Sequence, residues 1–171
     1  MSLLRWVLFV VPVVMLLGFL SGQIAGSGDE NPWFQALVKP DAQPPGWVFA
    51  VVWTILYAMM GTALALILAA RSAPLRGAAV LLFLVQYVMN LCWSPLFFGM
   101  HQISGAFWLL IAIFVAAFVT TLVFGRVRKA AALLMIPYLA WLCFAGILNK
   151  HIVELNPQAE TLVVPTASTQ I

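Results

Sequence analysis

The chain is poor in charge. Eight basic and five acidic side chains make up 8% of its 171 residues, and none of them falls within residues 6–28, 42–70, 77–125 or 130–149. Acids inside those runs would be the mark of a proton relay, and their absence argues against an ion-coupled pump. The only two cysteines, Cys92 and Cys143, have no CxxC partner and no histidine at ligand spacing, so they read as buried free thiols rather than as a metal site or a disulfide framework. There is no Ser-His-Asp arrangement, no paired-carboxylate site and no phosphate-cradling glycine loop, so the usual enzyme signatures are missing. The sequence pI near 9.2 comes without a basic stripe interleaved with aromatics, so nucleic acid is not an expected partner.

What is abundant is apolar: 64% of the residues are hydrophobic. A helix needs roughly 20 apolar residues to cross a hydrocarbon core about 30 Å thick, and the uncharged runs meet that length. The run over 77–125 is too long for one crossing and is divided by Gly99-Met100-His101-Gln102-Ile103-Ser104-Gly105, a cluster of small and polar residues of the kind that punctuates helices. The expected architecture is an all-α integral membrane protein, a single bundle of five transmembrane helices. Its spans lie near 5–26, 46–70, 77–98, 105–125 and 130–151. The first apolar segment exceeds the usual core of a cleaved signal, and Ser21-Gly22-Gln23 is a poor cleavage site, so it is expected to remain as a helix. Residues 27–45, stiffened by Pro40, Pro44 and Pro45, form a candidate lid. Residues 156–171 lack periodicity and are expected to be a flexible tail.

Orientation follows from the loops. Arg5, Arg71, Arg76, Arg126, Arg128 and Lys129 fall on one face of a five-span bundle, whereas Lys39, Lys150 and all five acids fall on the other. Positive residues in short loops are retained in the cytoplasm, which predicts the N-terminus inside and the first loop and C-terminus outside.

Within the spans, aromatic and amide residues recur at helical spacing. Seven tryptophans are present; Trp6, Trp33, Trp47 and Trp108 lie near helix ends, where anchoring at the headgroups is the simplest reading. Trp53, Trp93 and Trp141 lie deeper. In the second span Trp53, Tyr57 and Gly61 share one face; in the third, Gln86, Asn90, Trp93 and Phe97 do; in the fifth, Tyr138, Trp141, Ala145 and Asn149 do. Amides in hydrocarbon need partners, so the stripes should face the bundle interior. There they either bond helix to helix or line a pocket for a large planar apolar ligand. For Gln86 taken alone the interhelical bond is favoured.

At these same residues the chain resembles the translocator protein family, also called tryptophan-rich sensory proteins or peripheral benzodiazepine receptors. The similarity is carried by Trp33-(x)5-Lys39-Pro40-(x)3-Pro44-Pro45-Gly46-Trp47, by the run Trp53 to Gly61, by Gln86-(x)3-Asn90-(x)2-Trp93-Ser94-Pro95-Leu96-Phe97-Phe98-Gly99, and by the run Pro137 to Asn149, in order over residues 5–152. The resemblance implies a bundle, commonly a homodimer, that binds porphyrins such as protoporphyrin IX in a cavity beneath the first loop, with no resident cofactor or metal. It implies a ligand-binding set that includes Trp33 and Lys39 from the loop together with the three stripes, Asn90 and Trp93 forming a polar-aromatic wall and Ala145 a small position that shapes the pocket. Trp53 and Trp141 correspond to the pair that some bacterial members are reported to use in degrading bound porphyrin in light, the alternative to a receptor or carrier. A ligand-free scaffold is the third reading.

The departures are specific. Where the family often reads KPxWxPPRW, this chain has Ala42 and Gly46 in place of the inner tryptophan and the arginine, leaving Lys39 as the nearest cation for a porphyrin carboxylate. Lys150-His151-Ile152-Val153-Glu154 lacks the tyrosine and arginine of the sterol-associated run of animal members, so cholesterol is poorly supported as a ligand. Pro95 and Pro137 are expected to free carbonyls and bend the third and fifth spans. Gly18-(x)3-Gly22-(x)3-Gly26 is expected to serve close packing within one subunit.

Overall fold

A computed structural model describes residues 2–162. Five helices in it are long and apolar enough to cross a membrane: α1 (Leu3–Ile24), α3 (Gly46–Ala69), α4 (Arg76–Ser94), α5 (Ile103–Val127) and α6 (Lys129–Leu155), with a short α2 (Pro32–Ala36) in the first long loop. No strand occurs among the described residues. The expected spans are therefore met, with ends shifted by a few residues, the last helix running on to Leu155. The helices close into a ring in which α1 packs on α3, α3 on α6, α6 on α5, α5 on α4, and α4 back on α1.

Hydrocarbon reverses the usual placement of apolar bulk. Leu4, Leu8, Leu81 and Leu133 are exposed on the outside of the bundle, whereas the amides Gln86, Asn90 and Asn149 are buried within it. In lipid a leucine gains little by turning inward, but a lone amide loses its partners by turning outward. Thr54, Thr62, Thr120 and Thr121 meet the same constraint locally, each hydroxyl donating to the carbonyl four residues back. Cys92 and Cys143 are free thiols, but both are exposed on the helix surface. Their expected burial is corrected by the same logic, since a small apolar side chain is at home on a lipid-facing surface.

Small residues bring the helices together. A methyl group at Gly18 would run into the Tyr57 ring, and one at Gly61 would come within 2.8 Å of the Val11 backbone, so these glycines serve α1–α3 contact within the subunit. Tyr87 donates from its hydroxyl to the carbonyl of Val14, and Ser21 donates to that of Leu91, tying α4 to α1.

The two prolines behave differently from one another. α4 ends at Ser94, and Pro95–Gly99 continue as a wider π-helical turn closed by the Met100 N–H on the Pro95 carbonyl; turns of this kind recur at functional sites. Pro137 instead lies well inside α6, which runs through it without interruption.

The loop between α1 and α3 is built, not slack. Asn31 caps α2 through its side-chain oxygen, which accepts from the Phe34 N–H at 3.0 Å, and Pro32 occupies the first helical turn. The chain after α6 holds this loop down. Val38 and Asn156 exchange two hydrogen bonds of 2.8 Å, and the Trp33 indole donates to the Ala159 carbonyl at 3.1 Å. Glu160 accepts from the Ser104 N–H at 2.9 Å at the start of α5. Residues 156–162, placed by sequence in the flexible tail, thus form a clasp that includes the 3-10 turn Ala159–Thr161. The rest of that tail, 163–171, lies outside the described residues.

Candidate ligand cavity

A cavity of about 280 Å³ lies between the five spanning helices at the end covered by the first loop. Its walls come from the expected stripes. Trp53 and Tyr57 enter from α3, their rings 5.1 Å apart; Asn90 and Trp93 enter from α4, with Phe97 from the π turn stacked 5.0 Å from Trp93. From α6 come Trp141, Ala145 and Asn149. Gly18 and Gly22 of α1 contribute backbone rather than bulk, and Leu110 closes the α5 side.

The other expected residues stand apart from this wall. Gln86 and Tyr138 lie behind it, fully buried, as relays in a chain of hydrogen bonds. Tyr57 donates to Asn90 Oδ1 at 3.3 Å, Asn90 Nδ2 donates to the Tyr138 hydroxyl at 3.2 Å, and Tyr138 donates to Gln86 Oε1 at 3.1 Å. Gln86 is one turn before Asn90 on the same stripe, yet that turn takes it into the packed half of the bundle. Trp33, a candidate both as an anchor and as a ligand contact, is buried under the clasp with its ring stacked 4.3 Å from His101. Its face is taken by that imidazole, from the turn between α4 and α5. Lys39 sits over the Phe34 ring at 4.7 Å and borders a second, more open hollow lined by loop residues instead of the cavity. Trp47 and Trp108 are exposed at helix ends, as anchors would be.

Several lining residues were not singled out from the sequence. Phe49, whose ring meets Trp141 at 5.6 Å, is one turn before Trp53, so the α3 stripe had only to be extended back by four residues. Phe34 and Asp29 come from the loop, where no periodicity points to them.

The polar edges inside the wall are unevenly satisfied. Asn149 donates to the Ile103 carbonyl at 3.0 Å, but its Oδ1 is buried without a partner among the described residues, as are the indole N–H groups of Trp93 and Trp141. Buried donors and acceptors of this kind normally find partners. Flat aromatic faces with a few unpaired polar edges are what an apolar pocket uses to orient a guest.

Fold and site together define a membrane-embedded five-helix bundle with an aromatic cavity under a loop. The model of the TspO/MBR family matches residues 9–155, and the chain belongs to that family. It is 43% identical over 126 residues to a tryptophan-rich protein TspO of Chlorobaculum tepidum, covering 73% of this chain and 80% of that one. It is 38% identical over 141 residues to a translocator protein of Bos taurus, covering 81% and 83%. A tryptophan-rich sensory protein of Cereibacter sphaeroides is 34% identical over 128 residues, covering 74% and 78%.

Proposed function

We propose that the chain is a membrane receptor or carrier that holds porphyrins, such as protoporphyrin IX, and related hydrophobic ligands in the aromatic cavity, as part of a sensing or transport role. The observation that carries this reading is the convergence of Trp53, Trp93 and Trp141 from three helices on one void, with the N–H groups of Trp93 and Trp141 unpaired among the described residues. The porphyrin is the ligand, and no resident cofactor or metal is part of the proposal. A cavity of about 280 Å³ falls just below the span of small-molecule sites, roughly 300–1,000 Å³. A whole macrocycle therefore has to lift the loop or extend between helices, and opening of the lid belongs to the binding step. We place the protein as a homodimer in a bacterial membrane with the N-terminus in the cytoplasm, as the distribution of basic residues suggests, and with cholesterol and nucleic acid outside its partners.

The test is a titration of the full chain in detergent with protoporphyrin IX, read from the porphyrin's own absorbance. Trp53→Phe and Trp141→Phe should each weaken binding by roughly two- to tenfold, the worth of about 0.5–1.5 kcal/mol of ring contact, with thermal stability unchanged. Equal affinity in wild type and both variants overturns the assignment of the cavity.

A second reading is favoured by the placement of Trp53 and Trp141 in the wall of the same cavity. In it, light-excited porphyrin is oxidised there with dioxygen as the electron acceptor and the indoles as redox partners. Bleaching of bound porphyrin under light that is lost in both phenylalanine variants supports this reading, and binding without bleaching removes it.

A further inference from the structure

The cavity's charge is one-sided. Among the residues that line it, Asp29 alone carries a formal charge. Its position is fixed twice: Oδ2 accepts from the Gly46 N–H at 2.8 Å, at the first residue of α3, and its main-chain carbonyl accepts from Gln35 Nε2 at 2.7 Å. The N-terminus of a helix favours a negative group, and the Gly46 N–H seats the carboxylate there. Gly46 makes the placement possible, because a Cβ there would run into the carboxylate.

Asp29 also borders the second hollow together with Lys39, Gln43 and the prolines of the loop. It stands where the cavity meets the outside. Lys39 lines the second hollow and not the cavity, but its ammonium lies over the ring of Phe34, which does line the cavity. The formal charge that lines the cavity is therefore negative, and the loop's cation lies over one of its rings. Asp29 is exposed, so a guest that brings a carboxylate to it meets a like charge across screening water, and one that brings a neutral or cationic group does not.

We propose that Asp29 is a specificity-determining residue, which makes the cavity favour flat amphiphiles that are neutral or cationic at the mouth over those that present a carboxylate there. This rests on the porphyrin-binding reading and refines its ligand class. A dicarboxylate porphyrin binds against this charge, with its acidic edge left on the Lys39 side.

The experiment compares one ring in two charge states, protoporphyrin IX and its dimethyl ester, bound to the full chain in nanodiscs of uncharged lipid. Asp29→Asn keeps an oxygen for the Gly46 N–H and removes the charge. It should raise affinity for the diacid about two- to fivefold, the scale of an exposed charge pair, and change that for the ester by less. The gain should shrink with added salt. Gly46→Ala, which displaces the carboxylate without altering its charge, should shift the ratio in the same direction. A diacid-to-ester ratio that is the same in wild type and Asp29→Asn overturns the proposal while leaving porphyrin binding intact. Failure of both forms to bind the wild type overturns the binding reading itself, and this inference with it.

Discussion

The two halves of the bundle use similar apolar residues to opposite ends. Toward the arginine-bearing loops the interior is close-packed, with Ala63, Ala65, Ala79, Ala117 and Ala131 fully buried beside Phe83, Phe124 and Met135. Toward the long loop the interior holds indoles, amides and the cavity. Alanine lets helix backbones approach until side chains interlock, whereas the rigid rings of Trp53, Trp93 and Trp141, with the small Gly22 and Ala145, leave a void between the helices. Where stability is the only demand helices close up, and where a guest is to be held they are propped apart by aromatic bulk.

That contrast is most sharply broken by adding volume in each half. Gly61→Leu forces a side chain onto the Val11 backbone, which is 2.8 Å from the position of a Cβ. The expected cost is about 3 kcal/mol, at the upper end for overpacking, read as a fall in melting temperature of the purified protein. Ala145→Phe puts bulk into the cavity instead. It should leave the melting temperature unchanged or raised while lowering porphyrin affinity by about tenfold or more, since the guest loses roughly one ring's worth of space and contact. Destabilisation of equal size by both substitutions would erase the distinction between a packed half and an open one.

The helices were legible because hydrocarbon imposes one simple rule, that charge is excluded for the length of a crossing. The direction of the stripes was legible because an amide in lipid must point at a partner. Depth along a stripe was not. Gln86 and Asn90 have the same chemistry on the same face of α4, yet Asn90 touches the cavity and Gln86 only the network behind it. The difference is set by where α6 brings Tyr138, a contact across 48 residues. Trp33 is similar: its partner Ala159 is 126 residues away, so nothing near it in sequence shows that a tryptophan expected as an anchor or a ligand contact is held by the clasp. Asp29 carried no signal at all, because only the missing side chain of Gly46, seventeen residues later, gives its carboxylate a seat.

A smaller effect sharpens the boundary between the halves. Tyr138→Phe removes the hydroxyl that receives from Asn90 and donates to Gln86. Interhelical hydrogen bonds in membranes are worth about 0.6–2 kcal/mol, so a modest loss of thermal stability is expected. Asn90 would then be freer to turn, and porphyrin affinity should change by less than the stability does. A larger effect on binding than on stability would move Tyr138 from the supporting layer into the site.

The smallest expected effect lies in the clasp. Asn156 joins the two ends of the cavity's cover by bonding both the N–H and the carbonyl of Val38, and it also returns a bond to Ile152 at the end of α6. These groups are near the surface, where each bond contributes only about 0.5–1.5 kcal/mol net. Asn156→Ala should therefore leave the bundle's melting temperature nearly unchanged. Opening of the loop, by contrast, depends on just these few bonds, so hydrogen exchange at Val38 should speed up several-fold, and both association and dissociation of porphyrin should quicken with little change in equilibrium affinity. Rates that stay fixed while affinity falls would mean that Asn156 shapes the bound state, and that the loop is a wall of the cavity instead of its lid.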